Sequence, residues 1–205
     1  MRLVCQWLVF ALPWILGAMP AGADETEDLL NKYTFCLVCH GYQGQGNVSV
    51  QAPALAGIEP WYFAAALDSY RSGQRHTSPA AMDMQSAARM IEPASYDELH
   101  AFVSALAPGQ RPAVAAVAEQ VQRGAAAYAQ YCAVCHGSEA EGNEQLAAPA
   151  LKRLAPWYLT SAWQAYLTGA RGDDNAAPMA RQMRQMALSM PVEIAIEDLI
   201  AFITK

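Results

Sequence analysis

The chain has 205 residues, 54% of them hydrophobic and only 16% charged, with a formal net charge of −6. That length suits one medium domain or two small ones. Thirteen Lys+Arg with no run among them argue against a nucleic-acid groove or an anionic-membrane patch, because both draw affinity from clustered positive charge.

Residues 1–23 read as an export signal. Met1-Arg2 is a short basic start, Leu3 to Gly17 is apolar, and Ala21-Gly22-Ala23 offers small residues at the −3 and −1 positions of a cleavage site. The alternative is an uncleaved anchor, since the apolar run approaches the ~20 residues that span a bilayer. Pro13, Gly17 and Pro20 interrupt it, so cleavage before Asp24 is the expectation. Cys5 then leaves with the leader, and the remaining chain carries −7 because residues 1–23 hold one basic and no acidic residue. No second run of spanning length follows, so any membrane association is expected only through a partner or an uncleaved leader.

Glu25 to Cys36 is predicted as a helix leading into Cys36-Leu37-Val38-Cys39-His40, and Gly41 to Gly57 as a loop rich in Gly, Asn, Pro and Ala. Pro60 suits the first turn of a helix running to Gly73. Ser95-x-x-Glu98 is a capping-box pattern opening a helix with Leu99, Phe102, Val103 and Leu106 on one face. Ala107-Pro108-Gly109-Gln110-Arg111-Pro112 then reads as a linker, which sets domains of 24–112 and 113–205. The second domain repeats the first at a constant offset of 96: Cys132-Ala133-Val134-Cys135-His136, Gly142-Asn143, Ala148-Pro149-Ala150-Leu151, Pro156-Trp157-Tyr158, Tyr166, Gly169 and Arg171 all have mates. Its loop is Gly137 to Leu154, its lead-in helix Glu119 to Cys132 and its closing helix Glu197 to Ile203. Two long units make a tandem repeat, not a solenoid. Strand signals are nearly absent, and the expected class is all-α.

The duplicated C-x-x-C-H carries the chemistry. Two thiols three residues apart on a helical turn can each add to one vinyl group of a single haem, while the next His comes under the iron. A shared zinc site does not need that His, a thioredoxin-type pair would sit at a βαβ turn, and disulfides would not select the same His twice. Two covalently attached c-type haems are therefore expected, on Cys36, Cys39 and His40 and on Cys132, Cys135 and His136. For the sixth iron ligand, the seven methionines after residue 23 all precede a closing helix: Met82, Met84 and Met90, then Met179, Met183, Met186 and Met190. One thioether per cluster is expected to bind and the rest to pack. Met84 and Met183 are chosen because each lies seven residues before an apolar residue, Ile91 and Met190, with Met82, Met179 and Met186 still open. His76 and His100 have no mate in the other unit and are expected on the surface. Tyr62, Tyr70, Tyr158 and Tyr166 are expected in the core, whereas Trp61, Trp157, Arg75 and Arg171 could contact haem carboxylates.

These features together resemble the dihaem class I cytochromes c of the cytochrome c4 type: two C-x-x-C-H motifs, a Pro-Ala-Leu segment after each, a Trp-Tyr helix, and closing segments Met84-Gln85-Ser86-Ala87-Ala88 and Met183-Arg184-Gln185-Met186-Ala187. The resemblance implies two class I cytochrome c domains related by pseudo-twofold symmetry, haem carboxylates meeting at the domain interface, and iron ligation by His40 with Met84 and His136 with Met183. It also implies that the carbonyls of Pro53 and Pro149 accept the Nδ1 proton of each His. The function implied is a periplasmic carrier passing single electrons between redox proteins, towards a membrane oxidase. An electron-transfer subunit of a dehydrogenase complex is the alternative, and a dihaem peroxidase-like enzyme a remoter one. No paired-acid, Ser/His/Asp or phosphate-loop arrangement supports catalysis by side chains.

Overall fold

The computed structural model describes residues 33–106 and 117–205. The expected leader and cleavage site, most of the expected first lead-in helix and the expected linker around residue 112 lie outside these residues. Among the described residues the secondary structure is helical, and the only β pairings are two isolated bridges, Asn47 with Ala52 and Asn143 with Ala148. No helix among them is long and apolar enough to cross a membrane.

The first unit contains α1 (33–40), α2 (Pro60–Arg71), α3 (Pro79–Arg89) and α4 (Tyr96–Ala105). The second contains α5 (Ala118–Tyr131), α6 (Ala133–His136), α7 (Pro156–Thr168), α8 (Pro178–Ser189) and α9 (Ile196–Ile203). Proline opens α2, α3, α7 and α8, where its missing N–H costs no intrahelical bond. Ser95 does stand at the start of α4, but its side chain makes no cap bond. A 3-10 turn over Pro93–Ser95 leads into the helix and leaves Ser95 at φ −94°, ψ 0°, outside the extended conformation a capping serine adopts.

Each unit has its own core. In the first, Leu99, Phe102 and Val103 of α4 pack with Tyr33, Leu37, Phe63, Leu67 and Ile91. In the second, Leu199 and Phe202 of α9 pack against Tyr128 of α5, whose ring lies 5.0 Å from that of Phe202. The α5 and α9 helices are further joined by Arg123, which donates two bonds to the Asp198 carboxylate, 2.6 and 3.0 Å long. That hydrogen bonding holds the Asp198 carboxyl below its ordinary value. Since the folded-state value is depressed, the contribution to stability is present above the ordinary carboxylate range and is lost as pH falls through the lowered value. Asp198→Asn should therefore lower the melting temperature at neutral pH and flatten its decline on acidification. Parallel acid-melting curves for the two proteins would contradict this.

Candidate functional site

The axial histidines are set by short-range geometry. In each repeat the C-x-x-C-H turn ends at a glycine of positive φ, Gly41 or Gly137, and the chain folds back so that Gly46 N–H donates to His40 O and Gly142 N–H to His136 O, both at 2.8 Å. At Gly46 and Gly142, each at φ +87°, a Cβ would come within 2.8 Å of Ala54 N and 2.6 Å of Ala150 N. Only glycine lets the strap pass this close to Pro53-Ala54 and Pro149-Ala150. The result is a carbonyl aimed at each imidazole: His40 Nδ1 lies 2.7 Å from Pro53 O and His136 Nδ1 lies 2.8 Å from Pro149 O.

Both histidines are buried, and burial lowers their pKa from the usual imidazole value despite the opposing effect of these bonds. A neutral ring whose Nδ1–H is given to a carbonyl keeps its lone pair on Nε2, the form a metal ligand needs. Beside them Cys36, Cys39, Cys132 and Cys135 are free of disulfides. Burial, chiefly, pushes the Cys36 and Cys132 thiols up to about 11. They are protonated at neutral pH, which does not suit a redox-active dithiol.

In the second unit these groups open onto a cavity of about 1000 Å³ lined by Cys132, Cys135 and His136 on one side and by Met179, Met183, Met186 and Met190 on another. The volume lies at the upper end of small-molecule sites. Its lining, with two thiols, an oriented imidazole and thioethers, is a soft donor set suited to a covalently attached haem. The first unit repeats the donors. Met84 is half-buried against the core, whereas Met82 and Met90 are 58% and 78% exposed, which separates Met84 from the rest of its cluster. The three-residue gain in the second unit falls before α8: Met84 is the sixth residue of α3 and Met183 the sixth of α8, with buried Ala88 and Ala187 four residues on.

Several sequence expectations change here. His76 is exposed and bonded to Gly73 O, but His100 is half-buried, 2.9 Å from Ile58 O, with its ring edge-on to Phe63. It ties α4 to the turn before α2 and is less exposed than His76. Tyr62, Tyr158 and Tyr166 line the cavity wall between the units, whereas Tyr70 packs against the first core as expected, with Arg75 over its ring. Trp61, Arg75 and Arg171 also line the cavity, as does Trp163, which the repeat pattern did not flag. Glu59 was likewise missed: it accepts from Ala150 N at 2.7 Å and from Arg153, whose guanidinium also reaches Ala56 O, joining the two units. In the repeat, Gly57 stands where Arg153 does and Ala155 where Glu59 does, so no duplicated pattern could reveal this bond.

Comparison with known proteins agrees with this geometry. Residues 121–205 match the Cytochrome c family. Cytochrome c4 from Acidithiobacillus ferrooxidans is similar with a TM-score of 0.67 at 23% identity, over 84% of this chain and 98% of that one. Reduced cytochrome c4 from Pseudomonas stutzeri gives 0.66 at 21%, over 87% and 96%. A thiosulfate dehydrogenase from Marichromatium purpuratum gives 0.61 at 25%, over 88% of this chain but 38% of that one. The second unit thus matches a cytochrome c domain, and the chain as a whole shares the fold of the two cytochrome c4 structures.

Proposed function

We infer that this protein is a periplasmic dihaem carrier that passes single electrons between redox partners, towards a membrane oxidase, with one haem in 24–112 and the other in 113–205. The observation that carries the reading is the duplicated ligand geometry: in each unit a buried His is pinned through Nδ1 by a proline carbonyl beside two free thiols. Cys36 and Cys39, with Cys132 and Cys135, anchor the porphyrins. His40 and Met84 hold one iron, and His136 and Met183 the other. Haem supplies a one-electron couple at these positions. The protein fixes the imidazole tautomer, excludes water and offers a soft second ligand that raises the potential.

Partner contact differs between the units. The first haem loop, 41–51, carries no charge and exposes Tyr42, Val48 and Val50, whereas the corresponding loop of the second carries Glu139, Glu141 and Glu144. This supports an apolar encounter at the first unit and a basic partner at the second. The second reading, an electron-transfer subunit of a dehydrogenase, is favoured by the likeness to part of the thiosulfate dehydrogenase chain.

The test is a haem count per chain with carbon monoxide binding to the reduced protein. Two covalent haems that both resist carbon monoxide are expected. One readily binding haem would overturn the carrier reading in favour of catalysis, and co-purification with a dehydrogenase would favour the subunit.

A further inference from the structure

The peptide group between Pro149 and Ala150 is used at both ends. Its carbonyl lies 2.8 Å from His136 Nδ1, and its N–H donates to Glu59 Oε1 at 2.7 Å. A trans peptide points its C=O and N–H in opposite directions. One flat amide therefore stands between an imidazole of the second unit and a carboxylate of the first. The other carboxylate oxygen, Oε2, accepts from Arg153 at 2.5 Å, and the same guanidinium donates to Ala56 O.

Each member of this row is held in place. Glu59 immediately precedes α2, where its backbone carbonyl accepts from Phe63 N at 2.8 Å. Its side chain makes no cap bond to its own helix and crosses to the second unit instead. Behind the amide, Gly142 leaves room for no more than a hydrogen: a Cβ there would lie 2.6 Å from Ala150 N and 2.9 Å from Pro149 C. Ala150 and His136 are buried, and the side chains of Glu59 and Arg153 are only 22% and 24% exposed. Such a row is largely shielded from water, and there successive hydrogen bonds strengthen one another by about 10–30% per bond.

The first unit lacks this arrangement. Its imidazole meets the same kind of carbonyl, His40 Nδ1 lying 2.7 Å from Pro53 O. The residue in the place of Glu59 is Ala155, however, and that in the place of Arg153 is Gly57, so neither the carboxylate nor its cation has a mate in the repeat.

A carboxylate on the amide N–H moves electron density towards the carbonyl oxygen. That oxygen becomes a better acceptor, the Nδ1 proton is drawn further from the ring, and Nε2 becomes a more basic ligand. A more basic ligand favours the oxidised iron and lowers the potential. Arg153 works against this by drawing the carboxylate's charge towards Oε2.

We propose that Glu59 is a positioning residue for the iron of the other unit, acting through the Pro149–Ala150 amide on His136, and that this relay makes two otherwise repeated ligand sets unequal. The proposal rests on the dihaem reading above, with His136 as an iron ligand.

The experiment is a redox titration of the full-length dihaem protein with the two haems resolved by NMR, together with the chemical shift of each axial imidazole's Nδ1 proton in the reduced state. Glu59→Gln keeps the shape and an acceptor oxygen but removes the charge. It is expected to raise the midpoint potential of the second haem alone and to move the His136 Nδ1 proton upfield, towards a weaker bond, with the His40 proton unmoved. Arg153→Gln is expected to do the reverse at the second haem, lowering its potential and moving the His136 proton downfield. Simple loosening of the junction would move both variants in the same direction, so equal signs overturn the relay. An unmoved His136 proton, or equal shifts at both haems, overturns it as well. Should Glu59→Gln not accumulate, Arg153→Gln decides by sign: a lowered potential with a downfield proton supports the relay, and any other result overturns it. Haem content is read on the same samples. A wild-type protein holding one haem would overturn the dihaem reading, whereas two haems with a His136 proton indifferent to these substitutions overturn the relay alone.

Discussion

Met84→Ala, fully reduced and exposed to carbon monoxide, is expected to bind one molecule per chain where the parent protein binds none, and to lose the higher potential that a thioether ligand confers on one of its haems. Met82 and Met90 point to solvent, so neither can replace it. The second unit should respond less sharply. Met179, Met183 and Met186 lie one helical turn apart in succession on α8 and all line the same cavity, so in Met183→Ala a neighbouring thioether stands within a turn of the lost one. Partial carbon monoxide binding with a retained low-spin fraction is the expected outcome there. Equal and complete opening in both variants would count against this difference, and no opening in Met84→Ala would remove Met84 from the ligand set.

The largest stability effect is expected at Gly124. This residue lies in α5 where that helix crosses α9, and a Cβ placed on it would stand 1.9 Å from Asp198 O and 2.6 Å from Asp198 C. Two arguments pull in opposite directions. Gly→Ala inside a helix gains about 1 kcal/mol in propensity. Forcing two backbones apart across a packed crossing costs about 3 kcal/mol, and here the obstacle is main chain, which cannot rotate aside. The second should win, with the Arg123–Asp198 bonds and the packing of Tyr128 on Phe202 disturbed as well. Gly124→Ala is expected to melt at least about 8 °C below the parent, a net loss of about 2 kcal/mol in a unit of this size. A melting temperature equal to or above the parent's would show that the helices separate freely.

Much of the site was legible in the sequence because its parts are local. C-x-x-C-H is five consecutive residues, the Pro-opened helices announce themselves by one residue each, and the constant offset of 96 extends any reading of one unit to the other. The register of the closing segments was harder. The second unit inserts residues before α8, so Met84 and Met183 align only when counted from the helix starts at Pro79 and Pro178. What the sequence hid is what depends on distant chain segments meeting. Tyrosines at helical spacing look like core, yet Tyr62 and Tyr158 turn to the wall between units, because the neighbours that decide their surroundings come from the other repeat. His100 looked superficial for lack of a mate, yet Ile58 O holds it. Ser95 had the right identity for a cap and the wrong backbone angles.

The bond between Glu59 and Arg153 bears on how such a chain could have arisen and on whether it could be dismantled. In a two-fold homodimer every contact occurs twice, residue i against j and j against i. Here the acid is only in the first unit and the base only in the second. Two copies of the first unit would set Glu59 against Gly57, and two copies of the second would set Arg153 against Ala155. Neither half, expressed alone, could rebuild this junction by self-association, although each carries its own C-x-x-C-H motif. The duplicated halves have become complementary and no longer interchangeable, and the covalent tandem is what guarantees that each meets the one surface it fits.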